Sequence, residues 1–302
     1  MPDAATSTRP IIPVLTTIAG IAVFSLMDAF MKSASMAAGA YSALLVRSVI
    51  GVMLVGPAWW IGSRKWPQPA VIRLHLRRGV VIAGMALTFF FALVRLPLAE
   101  AIAMSFIAPL IALFLAAMLL GEKIQPRAII AALLGLGGVI IIVGGRVGRE
   151  RMTDDAMIGL AALFISAVLY AWNLVLQREQ ALVARPVEVA TFQNGIVGLA
   201  LLGPAPFLFS VPPQGVWGDL VAAAVLGVAA SMILSWSYAR AETQRLVPVE
   251  YTGFLWAVLF GWIFFREPVS PATIAGAVLI VFGCWIGTRS PAQHAPPGQG
   301  AV

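Results

Sequence analysis

The chain has 302 residues, of which 60% are hydrophobic and 11% charged, and its 20 lysines and arginines outnumber 13 acids to give a net charge of +7. A water-soluble domain is nearer a quarter charged, so this composition excludes an aqueous outer surface and makes lipid the surrounding solvent. A single cysteine excludes a disulfide framework, one cysteine with two histidines leaves no zinc cluster, and basic residues kept to short loops argue against nucleic-acid binding.

A bilayer core about 30 Å thick needs roughly 20 helical residues to cross it, and a helix satisfies its own backbone there. Apolar runs mark ten such segments, at 12–32, 41–62, 79–95, 99–120, 127–145, 156–177, 187–209, 217–238, 246–265 and 271–288. The expected fold is an all-α integral membrane protein with ten transmembrane helices. Residues 1–11 form an N-terminal tail, 146–155 a linker, and 289–302 a polar tail expected to be disordered.

The first span carries Asp28 in "FSLMDAFMK", with Lys32 one turn on. A charge at mid-bilayer costs about 2.5–3.5 kcal/mol. Asp28 therefore reads either as the partner of Lys32 at i+4 or as a site for a substrate cation or a proton. Ala38-Gly39-Ala40 resembles a signal-peptide cleavage site, but the preceding apolar stretch is too long and carries both charges. In the second span Arg47 lies about two turns in, which calls for an acidic partner inside the bundle, either Asp28 or the acid of a solute. Trp59, Trp60 and Trp66 sit at span ends and read as an aromatic belt. Glu100, at the start of the fourth span, completes the turn "RLPLAEA" and is placed to pair with Arg95. Glu122 and Pro126 then mark the turn into the fifth.

The sixth span, in "LYAWNLVLQ", supplies Tyr170, Trp172 and Asn173, and the seventh supplies Asn194 in "TFQNGIVG", with Gln193 expected on another side of the helix. Tyr238 closes the eighth. The ninth opens after Pro248 with Glu250 and Tyr251, followed by Trp256. In a central cavity these aromatic side chains would stack on a planar metabolite; elsewhere they would serve as interface anchors. Glu250 reads equally well as a helix-start acid and as a site residue. Small residues recur at helical spacing in the fifth and tenth spans (Ala131 with Gly135, Gly283 with Gly287), fit for scaffold packing or for the face of a homodimer.

The two halves echo each other. At an offset of 145 residues Asp28 matches Asn173, Arg95 matches Arg240, Glu122 matches Glu267 and Pro126 matches Pro271; at 147, Arg47 matches Asn194. The chain thus reads as two five-helix units, 12–145 and 156–288. Five is odd, so the second unit enters the membrane from the opposite side, as in the inverted repeats of many secondary transporters. Glu122 and Glu267 read as capping residues of the turns, and the two prolines as first residues of the helices that follow. Most of the 20 basic residues then fall on the side of the two termini, which puts both termini in the cytoplasm. Arg146, Arg149 and Arg151 run against that rule.

The stretch "APLIALFLAAMLLGEKIQPRAIIAALLGLGGVIIIVGG" and its weaker copy "GFLWAVLFGWIFFREPVSPATIAGAVLIVFGCWIG" resemble the EamA family of the drug/metabolite transporter superfamily, over nearly the whole chain. The resemblance implies ten helices, two repeats, cytoplasmic termini and movement of small metabolites, in a bacterial cytoplasmic membrane. Phe254 stands where the first copy has Pro109, so a kink in the fourth helix is expected to be missing from its counterpart.

No G-x-x-x-x-G-K-[ST] loop, G-x-S-x-G or H-E-x-x-H motif is present, nor a ring of like charges. A carrier with no cofactor is favoured over an enzyme or a channel. Its partners are a small-molecule solute and the bilayer. The candidate solute contacts are Asp28, Arg47, Tyr170, Trp172, Asn173, Asn194, Tyr238, Tyr251 and Trp256, suited to a polar, zwitterionic metabolite, with export favoured over nutrient uptake.

Overall fold

The structure, a computed structural model, describes residues 11–63, 66–96, 98–105, 126–147, 154–267 and 271–288, together with 108, 111, 112, 115, 118 and 119. Among the described residues all regular structure is helical: α1 (Ile11–Ala38), α2 (Ala40–Ser63), α3 (Pro69–Leu93), α4 (Leu98–Ser105), α5 (Pro126–Val147), α6 (Asp154–Val183), α7 (Pro186–Leu202), α8 (Trp217–Tyr238), α9 (Thr243–Glu250), α10 (Thr252–Phe265) and α11 (Pro271–Thr288). Among the described residues six helical stretches are long and apolar enough to cross a bilayer, and Pro126–Gly138 and Pro186–Leu202 are shorter apolar helices. Large apolar side chains such as Met53, Ile61, Leu199 and Val278 stay exposed along the outer faces, as expected of an integral membrane protein whose outer solvent is lipid.

Prolines open four of these helices, at Pro69, Pro126, Pro186 and Pro271. The first helical residue has no intrahelical use for its N–H, so proline loses nothing there and presets φ. Gly39 separates α1 from α2 at φ 79°, a left-handed conformation that only a residue without Cβ adopts freely. Arg266 takes the same conformation after α10, at φ 55°, with Glu267 N bonded to Gly261 O at 3.2 Å. That bond reaches one residue further back than a Schellman closure, and the left-handed turn is built here without the usual glycine.

Two expectations change at this turn. Glu267 does cap a helix N-terminus, but that of α4: its Oε1 accepts the Leu98 amide at 3.1 Å and also meets Lys32 Nζ at 3.0 Å. Lys32 is therefore not the partner of Asp28; it also donates to Leu96 O at 3.2 Å. Nor is the ninth span unbroken: α9 contains Pro248 and stops at Glu250, and α10 starts at Thr252. At the break Thr252 Oγ1 donates to Val249 O at 2.7 Å and Phe254 N bonds Tyr251 O at 3.1 Å, so this span breaks despite having Phe254 at the matched position. Glu122 and Pro109 lie outside the described residues. Arg95 pairs with Asp155 (Nε to Oδ1, 2.9 Å), and the side chain of Glu100 lies outside the described ones.

The packing pairs helices across the two halves. α1 lies on α8 as α3 lies on α6; α2 meets α8 as α3 meets α7; α1 meets α9 as α4 meets α6; α2 packs on α7 and α5 on α11. Replacing each helix by its counterpart 145–147 residues away turns every one of these contacts into another in the same set. Side chains follow suit. Arg95 lies over the Phe91 ring at 3.7 Å and donates to Phe91 O at 3.0 Å, while Arg240 lies over Trp236 at 4.0 Å and donates to Trp236 O at 3.0 Å. The small residues of α5 and α11 are used within the chain: a Cβ on Gly283 would come within 2.8 Å of Ala131 O.

Candidate functional site

Between the two halves lies a cavity of about 140 Å³. A single water needs about 10–15 Å³ of such space, so the cavity has room for several waters, or for a small metabolite in their place. Its lining comes largely in repeat-related pairs: Ile21 with Ser166, Ser25 with Tyr170, Asp28 with Asn173, Arg47 with Asn194, Phe89 with Leu234, and Ser105 with Glu250. The cavity therefore straddles the relation between the halves, but the charges do not repeat. Three of these pairs set an ionisable group against a neutral one.

Asp28 projects from the middle of α1, between Met27 and Ala29, both fully buried. Asp28 itself is 5% exposed, and its Oδ1 has no hydrogen-bond partner. Arg47 enters from α2 and is 6% exposed; Nη1 touches Met27 Sδ at 3.3 Å and Nε has no partner. Gly227 of α8 lies beside the guanidinium, where a Cβ would make an ordinary contact at 3.5 Å from Nη1. No ion pair within 4.0 Å joins Asp28 to Arg47 among the described residues. Two buried, opposite charges thus share one cavity with bonding capacity unspent, and a buried charge left in that condition is costly.

The other two ionisable groups are already engaged. Arg78 of α3 donates to three amide oxygens of α6: Nε to Asn173 Oδ1 at 3.0 Å, Nη2 to Gln177 Oε1 at 2.9 Å, and Nη1 to Gln180 Oε1. Residues 173, 177 and 180 share one helical face. Behind them Gln180 contacts His75 Nδ1, and His75 Nε2 lies 3.1 Å from Glu188 Oε1, its ring stacked on Phe192 at 4.4 Å. Glu250 accepts from Tyr170 Oη at 2.7 Å on one oxygen and from Tyr238 Oη at 2.8 Å on the other.

Of the nine residues expected to meet a solute, Asp28, Arg47, Tyr170, Asn173 and Asn194 line the cavity. The other four do not. Trp172 points outward and is 45% exposed, because its neighbours Ala171 and Asn173 occupy the inner face. Tyr238 is buried beneath Glu250 as a hydrogen-bond donor. Tyr251 is buried against α5, where a Cβ on Gly135 would lie 2.8 Å from its ring. Trp256 packs with Ile21, Leu234 and Val249 and stacks on Phe260.

Other polar groups at or behind the cavity carry a weaker mark in the sequence. Arg78 lies just before the apolar run that marks the third span from 79, whereas α3 begins at Pro69 and buries both His75 and Arg78. Gln177 and Gln180 were available to sequence reasoning, since "NLVLQREQ" carries a polar stripe at i, i+4 and i+7 through an apolar span. Gln193 was placed on a different side from Asn194, yet both reach the cavity.

Comparison with known proteins adds to this geometry. The model of the EamA-like transporter family matches residues 11–144 and again 157–288. The pseudopaline exporter CntI of Pseudomonas aeruginosa is 28% identical over 277 residues, 90% of this chain and 94% of that protein. The aromatic amino acid exporter YddG of Ancylobacter novellus is 29% identical over 236 residues, covering 77% of this chain and 81% of that one. A riboflavin transporter of Brucella anthropi is 22% identical over 215 residues, covering 69% and 73%. A solved crystal structure superposes with a TM-score of 0.75 over 92% of this chain and 98% of its own, at 23% identity. That last likeness is one of fold.

Proposed function

This chain belongs to the EamA-like transporter family, and we propose that it is a ten-helix secondary transporter carrying a small zwitterionic, amino acid-like metabolite. The observation that carries this reading is the pair of unspent opposite charges, Asp28 and Arg47, in one cavity sized for such a molecule. An ammonium group would take Asp28 Oδ1 and a carboxylate would take the Arg47 guanidinium, each replacing water by a charge-assisted hydrogen bond. Arg78, held by neutral amides and, among the described residues, by no carboxylate at hydrogen-bonding distance, adds a second positive field on the α3 side.

In this reading residues 12–145 and 156–288 are inverted five-helix repeats that rock about the shared cavity to open it to either face in turn. Both termini are cytoplasmic, the membrane is the bacterial cytoplasmic membrane, and the chain does no covalent chemistry. Export is favoured by the relatives named as exporters. Uptake of a nutrient is the second reading, supported by the relative named a riboflavin transporter and by the flat apolar walls of Phe24, Phe89 and Phe90.

Counterflow in proteoliposomes tests the proposal, using a mixture of the twenty radiolabelled amino acids. Saturable exchange by the wild type, with half-saturation moved to a much higher solute concentration in Asp28→Asn and in Arg47→Gln proteins that reconstitute normally, is the expected result. Wild-type rates in both variants would remove the proposed contacts. Labelling of single cysteines at 122 and 267 from opposite faces of oriented vesicles tests the inverted topology.

A further inference from the structure

Glu250 is a carboxylate that the solute reading leaves unused. It is 5% exposed, lines the cavity, and sits where the ninth span breaks, between α9 and α10. Both of its oxygens accept from tyrosine hydroxyls on different helices, Tyr170 of α6 and Tyr238 of α8. Its counterpart 145 residues earlier is Ser105, so the position has no structural need for an acid. No cation lies within salt-bridge distance of it among the described residues.

The groups facing it are few. Asp28 stands across the cavity on α1, with Arg47 and Arg78 on the walls formed by α2 and α3. Arg178 of α6 donates to Tyr238 O. Arg245 is the only other charge on α9 after Glu250 itself; α5 carries Arg127 and Arg146 near its two ends, and α10 and α11 carry no charged residue.

From this geometry we infer that Glu250 is the coupling-ion site of the transporter, taking up a proton in one state and releasing it in another. The inference rests on the reading of this cavity as a transport site. Ionised, the carboxylate only accepts, and two tyrosines tie α6 and α8 to the break at Tyr251. Protonated, it carries a hydroxyl that must itself donate. One of the two ties must then reverse, with the acid donating to the tyrosine oxygen, or be given up, so the hold of that tyrosine's helix on the break between α9 and α10 changes. A proton bound at an intramembrane acid thus changes which helices hold the hinge, which is how an ion gradient gains a grip on a carrier.

The test has an arm that needs no knowledge of the solute. Full-length protein in lipid, acidified stepwise, is followed by infrared difference spectroscopy in the carboxylic-acid C=O region. A band that grows on acidification, is lost in Glu250→Gln and persists in Asp28→Asn is the expected result. Tyr170→Phe and Tyr238→Phe should shift that band in frequency without removing it, which guards against a Glu250→Gln protein that has simply misfolded. A band that survives Glu250→Gln, or that vanishes only with Asp28→Asn, overturns the assignment. In the transport arm, exchange of the amino acid mixture depends on pH in the wild type and loses that dependence in Glu250→Gln. Accumulation driven by a sodium gradient and indifferent to pH would also overturn it. A wild type that moves none of the twenty amino acids removes the solute assignment instead, and the infrared titration alone then decides the proton site.

Discussion

Lys32 Nζ lies 3.0 Å from Glu267 Oε1, across 235 residues of chain. The Lys32 and Glu267 side chains are only 8% and 15% exposed, and the same carboxylate oxygen accepts the Leu98 amide. One contact therefore ties α1, the start of α4 and the end of α10.

Removing either partner leaves the other charge buried and unpaired. Lys32→Met or Glu267→Gln should each destabilise the protein by about 3–5 kcal/mol, read as a fall in thermal midpoint in detergent. The double variant should recover part of that loss, because it strands no charge. Additive losses in the double variant would mean that the pair contributes nothing as a pair.

On the proposed function, the unspent groups of the cavity set the affinity for the solute. A hydrogen bond to a charged group is worth about 1.5–3 kcal/mol. Asp28→Asn and Arg47→Gln should therefore raise the half-saturating solute concentration in counterflow roughly tenfold to hundredfold. Thermal stability should hold or rise, since each change removes a buried charge that has no ion-pair partner.

Gly51 makes room for Asn194. A Cβ at residue 51 would lie 2.5 Å from Asn194 Oδ1, and Asn194 is also held by its bond to Ala190 O at 2.9 Å. Gly51→Ala should cost about 1–3 kcal/mol through overpacking and slow exchange by forcing the amide out of place. Gly51→Ala combined with Asn194→Ala should regain the stability, measured by the same thermal midpoint, but not the exchange rate.

Trp172 offers the opposite outcome. Because it faces outward, Trp172→Leu should leave half-saturation in counterflow within about a factor of two, the range of an exposed change of about 0.5 kcal/mol or less. A large rise would place the indole in the solute's path after all.

The fold was legible where long apolar runs leave helix as the sole way to satisfy the backbone, and the bounds of the eighth span agree with α8, Trp217–Tyr238. Legibility failed where a helix reaches beyond its apolar stretch. In α3 the charges of the first turns precede the apolar run and look like loop residues, which hides the guanidinium of Arg78. Asp28 and Arg47 stood out because a charge within an apolar run is conspicuous. Trp172 was misplaced because an aromatic residue next to a polar one carries no mark of which face it occupies; only the packing of α6 against α3 and α4 decides that. Tyr170 and Tyr238 could be flagged, but that they converge on Glu250 depends on three helices meeting at one point.

The length of α6 ties the protein to the membrane it inhabits. The helix has 30 residues, with Asp155 near one end and Arg178 near the other, a separation of about 35 Å at 1.5 Å per residue. At an average tilt of about 20° this matches a hydrocarbon layer of about 33 Å. Asp155 holds Arg95 and Arg178 holds the Tyr238 carbonyl, so both ends are fastened to neighbouring helices. Acyl chains much longer or shorter than that span would strain one fastening or the other, and lipid thickness becomes a variable that any reconstitution of this carrier must match.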